Sequence, residues 1–417
     1  MAAGSSVLLV LLALIGAPLF AIIAAGAMIG FSREEIDLSV LAIEFFGIAE
    51  TPVLVAIPLF TFAGFLLSEG KAPHRLVRLS QALLGWLPGG LAMISLAVCA
   101  LFTAFTGASG VTIIALGALL FPALVEAGYE RRFSLGLITA SGSLGLLFAP
   151  SLPLILYGVV AETPIDDLFR AGLLPGLLMV ALLAGYGFIR NRHTAMPAAG
   201  AREVVAAVLD AKWELPLPFV VLGGIYSGYF AVSEAAAVTA LYVLVVEMIV
   251  LREIRWRELP RIVRESMVLV GAILTILGMS LASTNYLIDT GVPQRLFELT
   301  SEYVSGPRTF LVALLVFLLI LGAILDIFSA IVLVVPLVVP VAIGYGVDPI
   351  HLGIVFLAAM ELGYLTPPVG LNLFIASHRF QKDIVDVYLA TVPFLLVLLV
   401  SVVIITFWPA LSLFLVD

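Results

Sequence analysis

Apolar residues dominate this chain in long runs that are separated by short polar segments. Crossing a bilayer core of about 30 Å takes roughly 20 apolar residues in a helix. By this measure the sequence predicts spans at residues 5–31, 51–69, 88–104, 133–160, 171–190, 214–231, 233–251, 265–287, 309–322, 350–377 and 386–413. Two further apolar segments, 105–127 and 323–345, carry central Gly, Ser, Asp and Pro residues between very short connections. They predict re-entrant hairpins, so the fold class is an all-α polytopic membrane protein with ten or eleven crossings.

Composition supports this interpretation, because 62% of the 417 residues are hydrophobic and only 12% are charged. Soluble domains are about half apolar and a quarter charged. The single cysteine, Cys99, excludes a disulfide within the chain and a cysteine-based metal site. No basic patch indicates nucleic acid. The first apolar run is too long for the core of a cleaved signal peptide, so we expect a retained first span.

The positions of Lys and Arg predict the orientation in the membrane. Basic clusters occur at residues 131–132, 190–202 and 252–264, which we expect on the cytoplasmic side. The acidic turn at residues 162–167 is then expected on the outer side of the membrane. Three cations at positions 71, 75 and 78 do not fit this scheme, and they predict an amphipathic connecting helix at the membrane interface.

An internal repeat is the most informative feature of the sequence. A single offset, the one that places Pro122 on Pro340, superimposes a long stretch of the first half on the second without a gap, and the apolar runs coincide. The other glycine and proline pairs that match at this offset are Gly128 with Gly346, Gly145 with Gly363, Pro150 with Pro368, and Pro175 with Pro393. Secondary transporters built from such repeats bind substrate and ions near mid-membrane, where interrupted helices of the two halves meet.

The relative orientation of the two repeats depends on residues 213–252. Two crossings there would make the repeats parallel, whereas one net crossing would make them inverted. We expect the inverted arrangement, in which each repeat contains a re-entrant hairpin and a broken helix.

In the first half, the segment 106–112 places glycine backbone and three hydroxyls inside an apolar run. Non-helical backbone at this depth survives only where it is buried in protein or lines a polar cavity. Gly107, Ser109 and Thr112 are therefore candidate ligands of a small hard cation such as Na⁺. The alternative is close helix packing by small residues.

The span that follows contains the second candidate segment of this half, residues 141–153. Proline lacks an amide and clashes with the carbonyl four residues earlier, so Pro150 frees the carbonyl of Leu146. Ser141, Gly145 and Ser151 complete an oxygen-rich break. A simple proline kink is the alternative.

The second half repeats this arrangement and adds two acidic residues. Its candidate ion or substrate ligands are Asp326, Ser329, Glu361, Gly363, Thr366, Pro367 and Asn372. A charge at membrane depth costs several kcal/mol unless it is paired, protonated or facing water, so Asp326 and Glu361 are functional candidates. A structural hydrogen bond to a neighbouring helix is the alternative for each. The expected Na⁺ positions lie near Gly107, Ser109, Leu146, Asp326, Gly363 and Thr366.

These residues resemble the large M-type (DctM-like) membrane subunit of tripartite ATP-independent periplasmic (TRAP) transporters. The matching stretches cover nearly the whole chain in the family's order. They are Ile57–Phe60, Leu87–Gly90, the glycine-serine segment around Gly107, Pro150–Val159, Gly223–Tyr226, Glu234–Ala237 and Thr366–Phe374. The chain departs from the family pattern at Ala108, Ala149 and Ala359.

The resemblance implies an elevator-type carrier that takes up a small organic acid with sodium as the coupling ion and no other cofactor. Transport-domain halves would be residues 88–160 and 309–377, and scaffold segments 1–87, 161–308 and 378–417. The implied partners are a small four-span Q-type membrane subunit and a periplasmic solute-binding protein. The implied location is the inner (cytoplasmic) membrane of a bacterium or archaeon.

Two other functions fit parts of the sequence. A binding-protein-independent carrier of related architecture, such as a divalent-anion symporter or a Na⁺/H⁺ antiporter, fits the same hairpins and breaks. An intramembrane serine protease is suggested by Gly107–Gly110, but its serine would need a basic partner. All four histidines fall at or beyond predicted span ends. We therefore expect a transporter and no enzyme.

Overall fold

The computed structural model describes residues 8–9, 11–13, 15–194 and 199–416, and within these it is helical with no strand. The predicted first span, 5–31, falls partly on residues outside this description. In its described part the chain turns at residues 15–18, where Gly16 has a φ of +89°, and a helix begins at Leu19. A continuous first span is therefore wrong, because Gly16 and Pro18 interrupt the apolar run.

The helices of the first half are α1 (Leu19–Arg33), α2 (Ser39–Gly47), α3 (Ala56–Glu69), α4 (Ala72–Leu84), α5 (Gly90–Thr106), α6 (Ser109–Glu126), α7 (Arg131–Ser141), α8 (Leu152–Val160), α9 (Ile165–Arg190) and α10 (Ala201–Asp210). Those of the second half are α11 (Pro216–Tyr226), α12 (Val232–Val245), α13 (Leu259–Asp289), α14 (Val292–Ser301), α15 (Pro307–Gly322), α16 (Ile327–Gly344), α17 (Pro349–Gly363), α18 (Leu371–Phe380), α19 (Ile384–Phe407) and α20 (Pro409–Leu413).

Within the described residues, seven helical segments are long and apolar enough to cross a membrane. An eighth is the bent pair formed by residues 131–147 and α8. The sequence predicted ten or eleven crossings because it also counted shorter apolar helices such as α5, α11 and α15. At 1.5 Å per residue, the 11-residue α11 reaches only about 16 Å, which is half of the bilayer core.

The helices pack as two groups. One group contains α1 to α3 and α11 to α13, with α13 packed against α1, α2 and α3. The other contains α5 to α9 and α15 to α20, with α19 packed against α7, α9 and α17. The sequence assigned α9 and α19 to scaffold segments, but they pack mainly within the second group, and α9 also accepts a hydrogen bond at the Phe169 carbonyl from Tyr226 of α11. The division into scaffold and transport domain remains a prediction.

Helix α4 connects the groups and is the amphipathic helix that the cations at 71, 75 and 78 predicted. The Arg75 guanidinium donates to Glu214 at 2.7 Å and to Glu253 at 2.5 Å. Burial by itself would raise the pKa of Glu253, but hydrogen bonds from the Lys71 amide and Arg75 outweigh it and lower that pKa. Arg75 also lies 3.6 Å from the fully buried Glu247. This charge cluster fixes α4 to the segments that flank α11 and α12.

The two predicted hairpins have different bounds in the structure. Residues 109–126 and 327–344 are single helices, α6 and α16, and each turn lies before them. A helical hairpin is therefore formed by α5 with α6, and another by α15 with α16. The predicted bounds left out the first arm of each hairpin. In the first half, α5 was taken for a separate span because the turn between α5 and α6 contains only two residues, Gly107 and Ala108. The helices α6 and α16 begin and end at positions that the repeat offset pairs with each other.

Candidate functional site

The turn of the first half leaves the start of α6 without a side-chain cap. Helix α5 ends at Thr106, and Gly107 adopts a φ of +64°, a left-handed conformation that favours glycine. A Cβ there would also collide with the side chain of Leu152. Ala108 then serves as the N-cap residue, and no side chain accepts from the first amides of α6. These donors are available to a ligand.

The turn of the second half has a carboxylate at the equivalent position. Asp326 is the N-cap of α16, and its Oδ1 accepts from the amides of Phe328 and Ser329, each at 3.0 Å. Its Oδ2 accepts from the Ser329 hydroxyl at 2.5 Å. The Ile327 amide donates to the Tyr364 hydroxyl at 2.8 Å. These hydrogen bonds of Asp326 lie within its own helix and none joins it to a neighbouring helix of the described residues, and one half-buried carboxylate lies at this turn.

The predicted break of the first half is present between α7 and α8. Residues 144–147 form a 3₁₀ turn, and the two helical parts are bent by 44°. The peptide bond before Pro150 is cis. The carbonyl of Leu146, expected to be free, accepts from the Ser151 hydroxyl at 2.5 Å. Because a carbonyl oxygen has two lone pairs, it can still accept from or coordinate a second partner.

The second break separates α17 from α18, and the bond between Pro367 and Pro368 is cis. The Gly363 carbonyl accepts from the Thr366 amide at 2.9 Å. Gly363 also packs against Gly322 of α15, where an added Cβ would lie 2.6 Å from backbone atoms. The break is thus held directly against the helix that precedes the second turn.

A cavity of about 430 Å³, the central cavity, lies where these four segments meet. Gly107, Ser109 and Asp326 line it from the two turns, and Leu146 lines it from the first break. Phe65 of α3 and Leu269 of α13 close it from the other helix group. The structure therefore brings four predicted site residues together at the boundary between the two groups.

The other predicted site residues do not line the central cavity, and several make hydrogen bonds within the protein. Thr112 is 2.7 Å from Thr103, and Asn372 donates to the Thr139 carbonyl at 3.4 Å. Ser141, Gly145, Pro150, Ser151, Ser329, Glu361, Gly363, Thr366, Pro367 and Asn372 are absent from the cavity lining.

Glu361 is fully buried, and neither of its carboxylate oxygens has a hydrogen-bond partner among the described residues. Ser143, which the repeat offset pairs with Glu361, is also buried with an unpartnered hydroxyl. An uncompensated buried carboxylate costs several kcal/mol, so Glu361 stays a candidate for binding a proton or a cation.

Sequence reasoning missed Tyr364 and the apolar residues that line the cavity. Tyr364 stands in the second break and offers a hydroxyl at membrane depth, which was a usable signal. Phe65 and Leu269 gave no sequence signal, because nothing in the sequence distinguishes them from the other residues of an apolar span. The described residues contain no cluster of three or more His, Cys, Asp or Glu side chains that could hold a metal. A cation here would depend on carbonyls, hydroxyls and Asp326.

The sequence matches the family described as "Tripartite ATP-independent periplasmic transporter, DctM component" over residues 5–411. The chain belongs to this DctM family. Its relatives include a "C4-dicarboxylate TRAP transporter large permease protein DctM" from Pseudomonas aeruginosa, 36% identical over 89% of this chain and 88% of that protein. An "Ectoine/5-hydroxyectoine TRAP transporter large permease protein UehC" from Ruegeria pomeroyi is 32% identical over 100% of this chain and 99% of that one. The family resemblance is thereby confirmed, and the chain is a multi-pass membrane transporter rather than an enzyme.

The fold of this DctM-family chain is also similar to a solved transporter structure. The YdaH transporter of Alcanivorax borkumensis aligns with a TM-score of 0.61 at 13% identity, covering 88% of this chain and 86% of that one. This likeness supports the transporter fold alone.

Proposed function

We propose that this DctM-family permease carries a small organic acid across the inner membrane together with Na⁺, binding both in the central cavity. The observation that carries the proposal is the meeting of two helix turns and two helix breaks around one cavity. Small-molecule sites are concave and mainly apolar, with a few convergent polar groups, and this cavity has that composition.

The substrate carboxylate is assigned to the start of α6. A helix N-terminus carries partial positive charge and free amide donors, which favour an anion. Ser109 and Gly110 line the cavity at this point, and no side chain caps their amides. Two of the relatives are named for dicarboxylates or ectoines, all of which are small molecules with carboxylates.

The sodium ion is assigned to the side of the cavity next to Asp326. The carboxylate there is half-buried, and Leu146, whose carbonyl was expected near Na⁺, lines the same cavity. Na⁺ bound beside Asp326 would compensate a charge that is costly at membrane depth. Substrate and ion would then bind at neighbouring turns with opposite electrostatic character.

Alternating access is proposed to be a movement of the second helix group against the first. The cavity lies at their boundary, closed by Phe65 and Leu269 of the first group. The groups contact each other mainly through α3 with α5 and through α13 with α16. A few such contacts can rearrange as a rigid-body shift, as in elevator-type carriers.

The family description names a tripartite periplasmic system. We therefore propose two partners, a small four-span membrane subunit and a periplasmic binding protein that delivers the substrate. These proposals follow from family membership.

Uptake into proteoliposomes tests the function. The chain is reconstituted with its small subunit, and uptake of radiolabelled succinate or ectoine is measured with and without an inward Na⁺ gradient and with and without the binding protein. We expect uptake only with both the gradient and the binding protein. Uptake without the binding protein would indicate the independent-carrier alternative, and uptake driven equally well by K⁺ would contradict the sodium assignment.

A further inference from the structure

Away from the central cavity, the start of α7 forms one side of a groove that contains several cations. Two adjoining cavities of about 240 and 230 Å³ share Arg132 and Leu389, and together they form what we term the basic groove. It is bounded by the start of α7, the end of α9 and the start of α19. The basic side chains that line it are Arg131, Arg132, Arg190 and Lys382. Only two acidic side chains, Glu130 and Asp386, line it, so its formal net charge is +2.

The cations of the basic groove are poorly compensated within the protein. Arg131 and Arg132 are exposed and make no ion pair with any described residue. They also occupy the first turn of α7, where the helix dipole disfavours positive charge. Arg190 pairs with Glu130 at 3.2 Å, but both side chains are more than half exposed, so this pair is weak. An anion in the groove would be stabilised by all of these groups.

The groove also has an apolar lining, which continues into an exposed apolar surface. Phe133, Phe394 and Leu389 belong to this lining. From Leu389 an exposed apolar stripe runs along α19 at helical spacing. Its members are Val385, Leu389, Val392, Leu396 and Val400. A ligand that matches the whole feature carries an anionic head and long apolar chains.

We propose that the basic groove binds an anionic phospholipid, with its phosphate among the four cations and its acyl chains along the stripe of α19. Basic pockets between membrane helices on the cytoplasmic side bind such headgroups, and each Lys or Arg near the surface contributes about 1 kcal/mol. A free phosphate would use the cations but would leave the apolar stripe without a partner. The bound lipid would contact the helix group that carries both broken helices.

Native mass spectrometry of the purified full-length chain tests this proposal. Phosphatidylglycerol, phosphatidylcholine and soluble glycerol phosphate are titrated separately. We expect phosphatidylglycerol to bind at least 10-fold more tightly than phosphatidylcholine. A contribution of about 1 kcal/mol per cation corresponds to about a fivefold change in affinity. R131Q/R132Q should therefore weaken phosphatidylglycerol binding about 30-fold, and Lys382→Gln should weaken it about fivefold.

The matched control is R255Q/R257Q, which removes the same charge from an exposed basic segment outside the groove. It should change phosphatidylglycerol binding less than threefold. Equal binding of the two lipids would overturn the proposal, as would equal losses in the two double variants. Displacement of the lipid by glycerol phosphate at the same concentration would indicate a site for free anions instead.

Discussion

The two turns at the central cavity occupy equivalent positions in the sequence but differ in electrostatic character. In the first half, Ala108 precedes α6 and its amides have no side-chain cap. In the second half, Asp326 precedes α16 and caps it. The repeat offset pairs positions 108 and 326, so a single side chain makes the difference. One turn is suited to an anion and the other to a cation.

Under the proposed function, this difference would let two similar halves bind a solute and an ion that are not similar. The backbone would supply the turns, breaks and helix ends, and a few side chains would assign a ligand to each half. The predictions that follow test this assignment by changing one half at a time.

The largest effect is expected from Asp326→Asn. Asparagine caps a helix as well as aspartate does, so α16 should keep its stability while the negative charge is lost. A charge-assisted contact contributes about 1.5–3 kcal/mol, so the Na⁺ concentration for half-maximal uptake should rise about 10- to 100-fold. Sodium titrations of proteoliposome uptake measure this change.

The control is Asp348→Asn, because Asp348 caps α17 in the same way at 2.8 and 3.2 Å but is exposed and lies outside the central cavity. It should leave the sodium dependence unchanged. If both variants behave alike, Asp326 has only a capping role and the cation has to bind elsewhere.

The reverse change, Ala108→Asp, should make the first turn resemble the second. The new carboxylate would occupy the free amides of α6 and repel an anionic substrate, raising the KM for uptake about 10-fold or more. Capping should at the same time stabilise the protein by about 0.5–2 kcal/mol. A more stable but less active variant is an outcome that simple damage to the fold would not produce.

Ala108→Ser separates the two effects, because serine caps without charge. We expect a similar gain in thermal stability and a KM that rises less than in Ala108→Asp, because serine occupies the amides but does not repel the anion. An unchanged KM in Ala108→Asp would show that the substrate does not use this helix end.

The breaks should be sensitive to an added methyl group in both halves. A Cβ on Gly145 would collide with the Ala100 carbonyl oxygen, and one on Gly363 would lie 2.6 Å from Gly322. Because these contacts are with backbone, Gly145→Ala and Gly363→Ala should each cost about 1–3 kcal/mol. Thermal unfolding in detergent measures this, with Gly271→Ala as the control because it has open space around its Cβ. Tolerance in one half alone would show that only the other break is closely packed.

Much of this site could be predicted from residue types and spacing. Pro150 and the pair Pro367–Pro368 located both breaks, because a missing amide and a ring clash are properties of the residue itself. Gly107 located the first turn for a similar reason. The repeat that paired these positions remains a prediction, although α6 and α16 have matching bounds.

Other features depended on three-dimensional packing that the sequence does not encode locally. The expected free carbonyl of Leu146 accepts from Ser151, a contact that requires the folded geometry of the break. Glu361 was expected among the ligands, yet it is fully buried and absent from the cavity lining. The apolar lining residues Phe65 and Leu269 come from the opposite helix group, so only the assembled fold identifies them.

The smallest expected effect concerns the starts of α7 and α17, which also differ between the halves. Asp348 caps α17, whereas Glu130, at the equivalent position before α7, leaves its helix uncapped and pairs with Arg190. Asp348→Ala should therefore cost about 1 kcal/mol of stability, and Glu130→Ala less than about 0.5 kcal/mol. Thermal unfolding of the two variants side by side measures the difference.

Glu130→Ala should have a second effect, because it removes an acidic residue from the basic groove. The formal charge of the groove would rise by one, and phosphatidylglycerol should bind about fivefold more tightly. Asp348→Ala offers the comparison, since it changes the same net charge outside the groove. Equal losses of stability in the two variants would mean that Glu130 caps α7 after all, and the contrast between these two helix starts would then disappear.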